Sequence, residues 1–199
     1  MREPLLEIEQ LDCGILENVS LTVGVGETVC LAGPSGSGKS RLLRAIADLD
    51  PNRGQVRLRG ELRQAMPANV WRRRVGYLPA ESHWWAERVG EHMESPDEAD
   101  LHALGFTREV LGWQVARLSS GERARLALLR LWSMRPEVLL LDEPTASLDP
   151  ERVRAVERWL AARAAEGCGL LWVSHDREQI TRVADRALEI RDRSLLPWA

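Results

Sequence analysis

Residues 33–41 of this 199-residue chain read GPSGSGKSR and contain its only lysine, the other 26 Lys/Arg positions being arginine. A lysine ammonium is a compact point charge on a flexible stem, whereas arginine presents a planar fork. Gly33, Gly36 and Gly38 let the backbone curl, so that several N–H groups turn toward one anion. In the spacing G-x-x-x-x-G-K-S, Pro34, Ser35 and Ser37 fill the curl. Lys39 then reaches the β- and γ-phosphates of a nucleotide, and the Ser40 hydroxyl serves as a Mg²⁺ ligand.

Two further clusters extend this chemistry. VLLLDEPTASLD (138–149) is an apolar run that ends in adjacent carboxylates. A parallel strand buried on both faces needs such a run, and ligands of these sheets sit beyond the strands' carboxyl ends. Asp142 can hold Mg²⁺ directly or through water, and Glu143 can polarise a water for attack on the γ-phosphate. WVSHD (172–176) repeats the pattern with an imidazole. His175 is thereby placed to contact the γ-phosphate or orient the water.

The surrounding elements must position these groups. LLEIEQL (5–11), VSLTV (19–23), TVCLA (28–32) and GQVRLRG (54–60) read as strands separated by Gly, Asn and Pro signals. Apolar Leu42, Leu43, Ile46 and Leu49 make 40–49 a helix, whose N-terminal dipole faces the glycine loop. Val75–Leu78 is a further strand, closed by Pro79. Residues 81–118 carry an acidic run and read as short helices and loops. The helix of 119–134 begins with a serine cap. EVLLLDEP and GLLWVSHD are buried strands flanking a helix over 150–167, with proline in its first turn. Strands alternating with helices predict a mostly parallel sheet covered on both faces.

A net charge of −3 provides no global basic field for nucleic acid. Cys13, Cys30 and Cys168 lack metal spacing and imply a reducing compartment. No window approaches 18 uncharged apolar residues, and MREPLLEIEQ lacks the core of a secretion signal. A membrane role therefore has to run through a partner. The short stretch after the last predicted core strand gives the expectation of no added regulatory domain.

GPSGSGKS, LSSGE (118–122), LLLDEPTASLD and VSHD together resemble, in order and approximate spacing, the ATP-binding cassette (ABC) ATPases. LSSGE is the specific piece, because many phosphate-loop proteins share the first and third motifs. The resemblance implies an α/β fold: a RecA-like core with a mostly parallel sheet, antiparallel N-terminal strands and a helical insert over about 81–134 within one domain. It also implies an ATPase that powers a separate membrane permease and sits on the cytoplasmic face of the membrane through it. Arg41 would join residues 33–40 in holding ATP. The implied assembly is a head-to-tail homodimer, in which Ser119 and Gly121 of one copy meet the γ-phosphate held by the other and Asp149 lies across the interface.

Two departures stand out against that family. Ala80 occupies the position of a glutamine that contacts Mg²⁺ and water, with Glu81 and Ser82 as nearby polar substitutes. No aromatic ring precedes ILENVS to stack on adenine; Cys13 is nearest. Trp84 and Trp85 suit either anchoring of a partner or packing inside the insert, and Arg72–Arg74 reads as a solvated helix end. The LLWVSHDREQI ending looks similar to that of small ATPases of bacterial exporters, including metal exporters. A soluble assembly ATPase, or a binding module that barely hydrolyses, is the alternative.

Overall fold

The computed structural model describes residues 2–198. Strands β1 (Pro4–Asp12), β2 (Val19–Gly24) and β3 (Thr28–Ala32) lead to helix α1 (Lys39–Ile46), then β4 (Arg53–Leu58), β5 (Glu61–Leu62), α2 (Ala68–Arg74) and β6 (Val75–Leu78). Three single 3₁₀ turns, Val89–His92, Arg108–Gly112 and Val115–Arg117, surround α3 (Glu98–Ala103). The chain continues through α4 (Ser120–Trp132), β7 (Val138–Asp142), α5 (Pro150–Ala165), β8 (Gly169–Val173), α6 (Arg177–Val183), β9 (Arg186–Arg191) and β10 (Ser194–Pro197).

The strands form two sheets. An antiparallel sheet has the order β2-β1-β4-β5, and a six-stranded sheet has the order β10-β9-β3-β8-β7-β6. In the latter every pairing is parallel except β9 with β10. This is the mixed architecture expected of a phosphate-loop ATPase core. The β9–β10 hairpin was not read from the sequence.

The pleat divides the core in two. Val29, Leu31, Val138, Leu140, Leu171 and Val173 pack toward the antiparallel sheet and α1. Their strand neighbours Cys30, Leu139, Leu141, Leu170 and Trp172 pack toward α4, α5 and the segment 84–118. Alternation sends successive side chains to opposite faces, so both faces are buried and the strands read as continuous apolar runs. Burying a Leu or Val side chain contributes roughly 1.5–3 kcal/mol, and this sets the carboxyl ends of β3, β7 and β8 side by side. Trp71, fully buried on α2, donates from Nε1 to Ile46 O at 2.9 Å and clamps the end of α1. The arginines that end α2 are paired: Arg72 with Asp48, Arg73 with Glu94, and Arg74 with Glu137 and Glu61.

Candidate functional site

The loop after β3 adopts the curl predicted for it. Gly38, the residue before α1, has φ 103, a left-handed conformation that glycine adopts without steric cost. A β-carbon there would lie 3.1 Å from Ile15 Cγ2. Gly36, φ 77, has open space around its α-carbon. Pro34, Ser35, Gly36, Ser40 and Arg41 are exposed, and Gly33 and Ser37 are half-buried. Lys39 is 5% exposed. Its ammonium folds back inside the loop, donating to Gly33 O and Pro34 O, each at 2.8 Å, with Ser37 Oγ at 3.5 Å. Burial lowers its pKa, and the nearby Glu143 and Asp142 carboxylates oppose that shift. The loop, its cation and both carboxylates therefore share one electrostatic neighbourhood.

Asp142 ends β7 and is buried. Tyr77, on the adjacent strand β6, donates from its hydroxyl to Asp142 Oδ2 at 3.3 Å, while Oδ1 takes no hydrogen bond among the described residues. Burial, then Asp142, push the phenol above its ordinary pKa, so Tyr77 stays a donor. Sequence reading did not assign it. The two residues are 65 positions apart, and only the parallel β6–β7 pairing joins them.

Glu143 follows directly on the end of β7. Its φ is 48, an unfavoured region for a non-glycine residue. Its N–H donates to Val173 O at 3.2 Å. Its side chain meets the segment after β8, where His175 Nε2 lies 2.9 Å from Glu143 Oε1. The carboxylate and imidazole predicted from separate motifs thus touch.

The remaining predicted residues sit at one edge of this cluster. Ser119 caps α4 in a reciprocal box: Glu122 N donates to Ser119 Oγ at 3.3 Å, and Ser119 N donates to Glu122 Oε2 at 2.8 Å. Donation from Ser119 N, and from Ser119 Oγ at 2.8 Å, holds the Glu122 carboxyl below its usual range. A β-carbon on Gly121 would meet Leu148 and Ser147, so the start of α4 lies against the loop after Glu143. Asp149 caps α5 by accepting from Arg152 N at 3.0 Å. Among the described residues, no hydrogen bond or ion pair joins Ser119, Gly121 or Asp149 to the phosphate loop of the same chain.

Ala80, Glu81, Ser82 and His83 line a cavity of about 650 Å³ together with Glu143, Ser147 and Ser120. Position 80 therefore faces the same space as Glu143, with only a methyl group to offer. The two tryptophans differ in burial, although both rings lie edge-on to His92 and under Arg130. Trp84 is half-buried, edge-on to His92 and beneath Arg130, while Trp85 is 74% exposed. Cys13 is buried in the core and offers nothing to a base. Beside the loop, Ile15, Pro34, Gly36, Ser37, Asp192 and Arg193 border a separate cavity of about 440 Å³. Among the described residues no helix is long and apolar enough to cross a membrane.

The sequence pattern of the family described as ABC transporter matches residues 16–146. A sulfate/thiosulfate import ATP-binding protein, CysA, of Methylococcus capsulatus is 36% identical over 196 residues, covering 87% of this chain and 55% of its own length. The chain thus spans about half of that relative. The probable iron export ATP-binding protein FetA of Escherichia coli K12 is 30% identical over 207 residues, covering 94% of this chain and 92% of FetA. A solved structure described as the ATP binding subunit of an ABC transporter superposes with a TM-score of 0.84 at 26% identity, covering 96% of this chain and 88% of that one.

Proposed function

The chain belongs to the ABC transporter family, and on that premise we propose that it binds and hydrolyses ATP to drive a separate membrane permease. The observation that carries this reading is the convergence, at one end of the parallel sheet, of the Lys39 loop, Asp142 and the Glu143–His175 contact.

The N–H groups of residues 36–40 and the N-terminus of α1 would receive the phosphates. Lys39 would exchange its two loop carbonyls for phosphate oxygens, keeping the ammonium paired throughout. The Ser40 hydroxyl and the free Asp142 Oδ1 are hard oxygen donors of the kind Mg²⁺ takes, and they would hold it. Among the described residues no three His, Cys, Asp or Glu side chains form a closed cage, and Mg²⁺ ordinarily completes its shell with water and phosphate. When bound, the metal would neutralise charge on the phosphates. Tyr77 would keep Asp142 oriented. Glu143 would accept a proton from the attacking water, and His175 would hold that carboxylate, its Nε2–H donating to Oε1.

Among the described residues Ser119, Gly121 and Asp149 make no hydrogen bond or ion pair with their own phosphate loop, which leaves them available to a head-to-tail pair in which a second copy supplies the start of α4 to the bound nucleotide. An α-helix N-terminus directed at a phosphate is a favourable anion contact. The names of the relatives support a transport role. The cavity beneath Pro79–His83, with Trp85 exposed nearby, supports a permease contact on that face. Nucleic acid is not an expected partner, and the place of action would be the cytoplasmic membrane face.

The test measures phosphate release from MgATP by the purified chain, alone and with membranes carrying a candidate permease from the same organism, and asks whether the two co-purify. Hydrolysis stimulated by the co-purifying permease is the expected result. Absence of both phosphate release and co-purification would overturn the proposal.

A further inference from the structure

Gln179 is a polar side chain that the mechanism above leaves unused, yet it is only 3% exposed. Its amide is hydrogen-bonded to the loop after β7, to α5 and to the segment after β8, Thr145 Oγ1 lying 3.3 Å from Oε1 as well as within reach of Nε2. Its Nε2 donates to Thr145 Oγ1 and to Glu157 Oε1, each at 3.0 Å. Its Oε1 accepts from Ser174 Oγ at 2.8 Å. Thr145, Glu157 and Ser174 are themselves buried. Glu157 on α5 is gripped by Arg182, which donates at 2.6 and 2.9 Å. Burial alone would raise the Glu157 pKa, but the hydrogen bonds from Arg182 and Gln179 outweigh it and keep the carboxyl ionised. That carboxylate can only accept, which fixes the amide with its NH₂ toward Glu157 and its oxygen toward Ser174.

Thr145 lies two residues after Glu143, in a loop held by the successive turns Ala146 N to Glu143 O and Leu148 N to Thr145 O. Ser174 immediately precedes His175 and also accepts from Asp176 N at 3.1 Å. One amide therefore ties the loop that carries the base to the segment that carries the imidazole. It anchors both to an ion pair between α5 and α6. Glu143 and His175 are half-exposed, and Glu143 holds an unfavoured backbone conformation. Neither feature fixes their contact from the solvent side.

We propose that Gln179 and Thr145 are positioning residues that set the Glu143–His175 contact from beneath. The inference rests on the role assigned to Glu143 above. A glutamine suits the position because its amide offers two donors, for Glu157 and Thr145, and an oxygen that accepts from Ser174. A glutamate there would face Glu157 with a second negative charge. Misplacing a reacting group by about 1 Å costs on the order of a hundredfold in rate.

The experiment compares MgATP turnover, nucleotide affinity and melting temperature for Thr145→Val, Thr145→Ser and Gln179→Leu, with Glu143→Gln as reference. Thr145→Val keeps the shape and removes the hydroxyl. Its kcat should fall tenfold or more while KM and the ATP dissociation constant stay within twofold. Thr145→Ser keeps the hydroxyl and should retain at least half the parental kcat. Gln179→Leu should resemble Thr145→Val, and the double variant should be no slower than the worse single variant. If Thr145→Val turns over within twofold of the parent while Glu143→Gln is silent, the network is a fold anchor only and the inference fails. If Glu143→Gln hydrolyses ATP normally, the assignment of the base fails first and takes this inference with it.

Discussion

Replacing Lys39 by alanine should weaken MgATP binding by roughly 10- to 150-fold. The free protein holds the ammonium with two charge-assisted contacts of 2.8 Å to Gly33 O and Pro34 O. Binding exchanges these for phosphate oxygens, so the gain is the difference between the two sets and not their sum. One charge-assisted hydrogen bond is worth about 1.5–3 kcal/mol, and each 1.4 kcal/mol is about tenfold in affinity. The carbonyls left behind belong to a loop whose Pro34 is exposed, so water can replace the ammonium and stability should hardly change. Lys39→Arg should fail to rescue binding, because a planar fork does not fit between acceptors arranged for a compact ammonium. Isothermal titration with MgATP, paired with thermal melts, checks both variants. An unchanged dissociation constant for Lys39→Ala, or full rescue by arginine, would refute the phosphate-cradle argument.

Bound phosphate should raise the depressed pKa of Lys39, so binding takes up a proton at high pH. ATP affinity is then full below the Lys39 pKa of the free protein and declines as pH rises through it, a limb that titrations of Lys39→Ala should lack. Ala80→Gln should raise kcat while leaving the MgATP dissociation constant within a few-fold, because position 80 faces the cavity that Glu143 lines; steady-state hydrolysis of both forms decides, and equal rates would show that the site needs no side-chain contact there. Burial pushes the Cys30 and Cys168 thiols up to about 12, so neither should react with a thiol reagent at pH 8 until the chain unfolds. Rapid native modification of either, mapped by mass spectrometry, would contradict their packing.

What the sequence revealed and what it hid divide along contiguity. Gly33–Ser40 and Val138–Glu143 were legible because each packs its chemistry into a few consecutive residues next to an apolar run, and β3, β7 and β8 are buried on both faces. Both members of the Glu143–His175 contact were legible as strand-end groups, but their pairing was not, because it depends on β7 and β8 lying side by side. Tyr77 was not legible as the partner of Asp142, since the pairing depends on strand order and not on spacing. Gln179 and Thr145 stand 34 residues apart, and a glutamine in a short helix carries no local signal of a buried amide. The β9–β10 hairpin was missed because its turn places Asp192 and Arg193 at positive φ without the glycine that normally announces such a turn. For the tryptophan pair, Trp84 packs within the insert while Trp85 stays exposed, a split that composition could not resolve.

The central claim is that Glu143 activates water on a nucleotide sandwiched between two copies of this chain. The direct test is the solution mass of Glu143→Gln with MgATP, measured by light scattering alongside phosphate release from the parent protein. An amide keeps the shape of the side chain but cannot take the water's proton, so bound ATP should persist. The account predicts a shift from the 22.4 kDa monomer to a dimer that dissociates when ATP is removed, with phosphate release abolished. A monomer at saturating ATP, or hydrolysis at the parental rate, would contradict it.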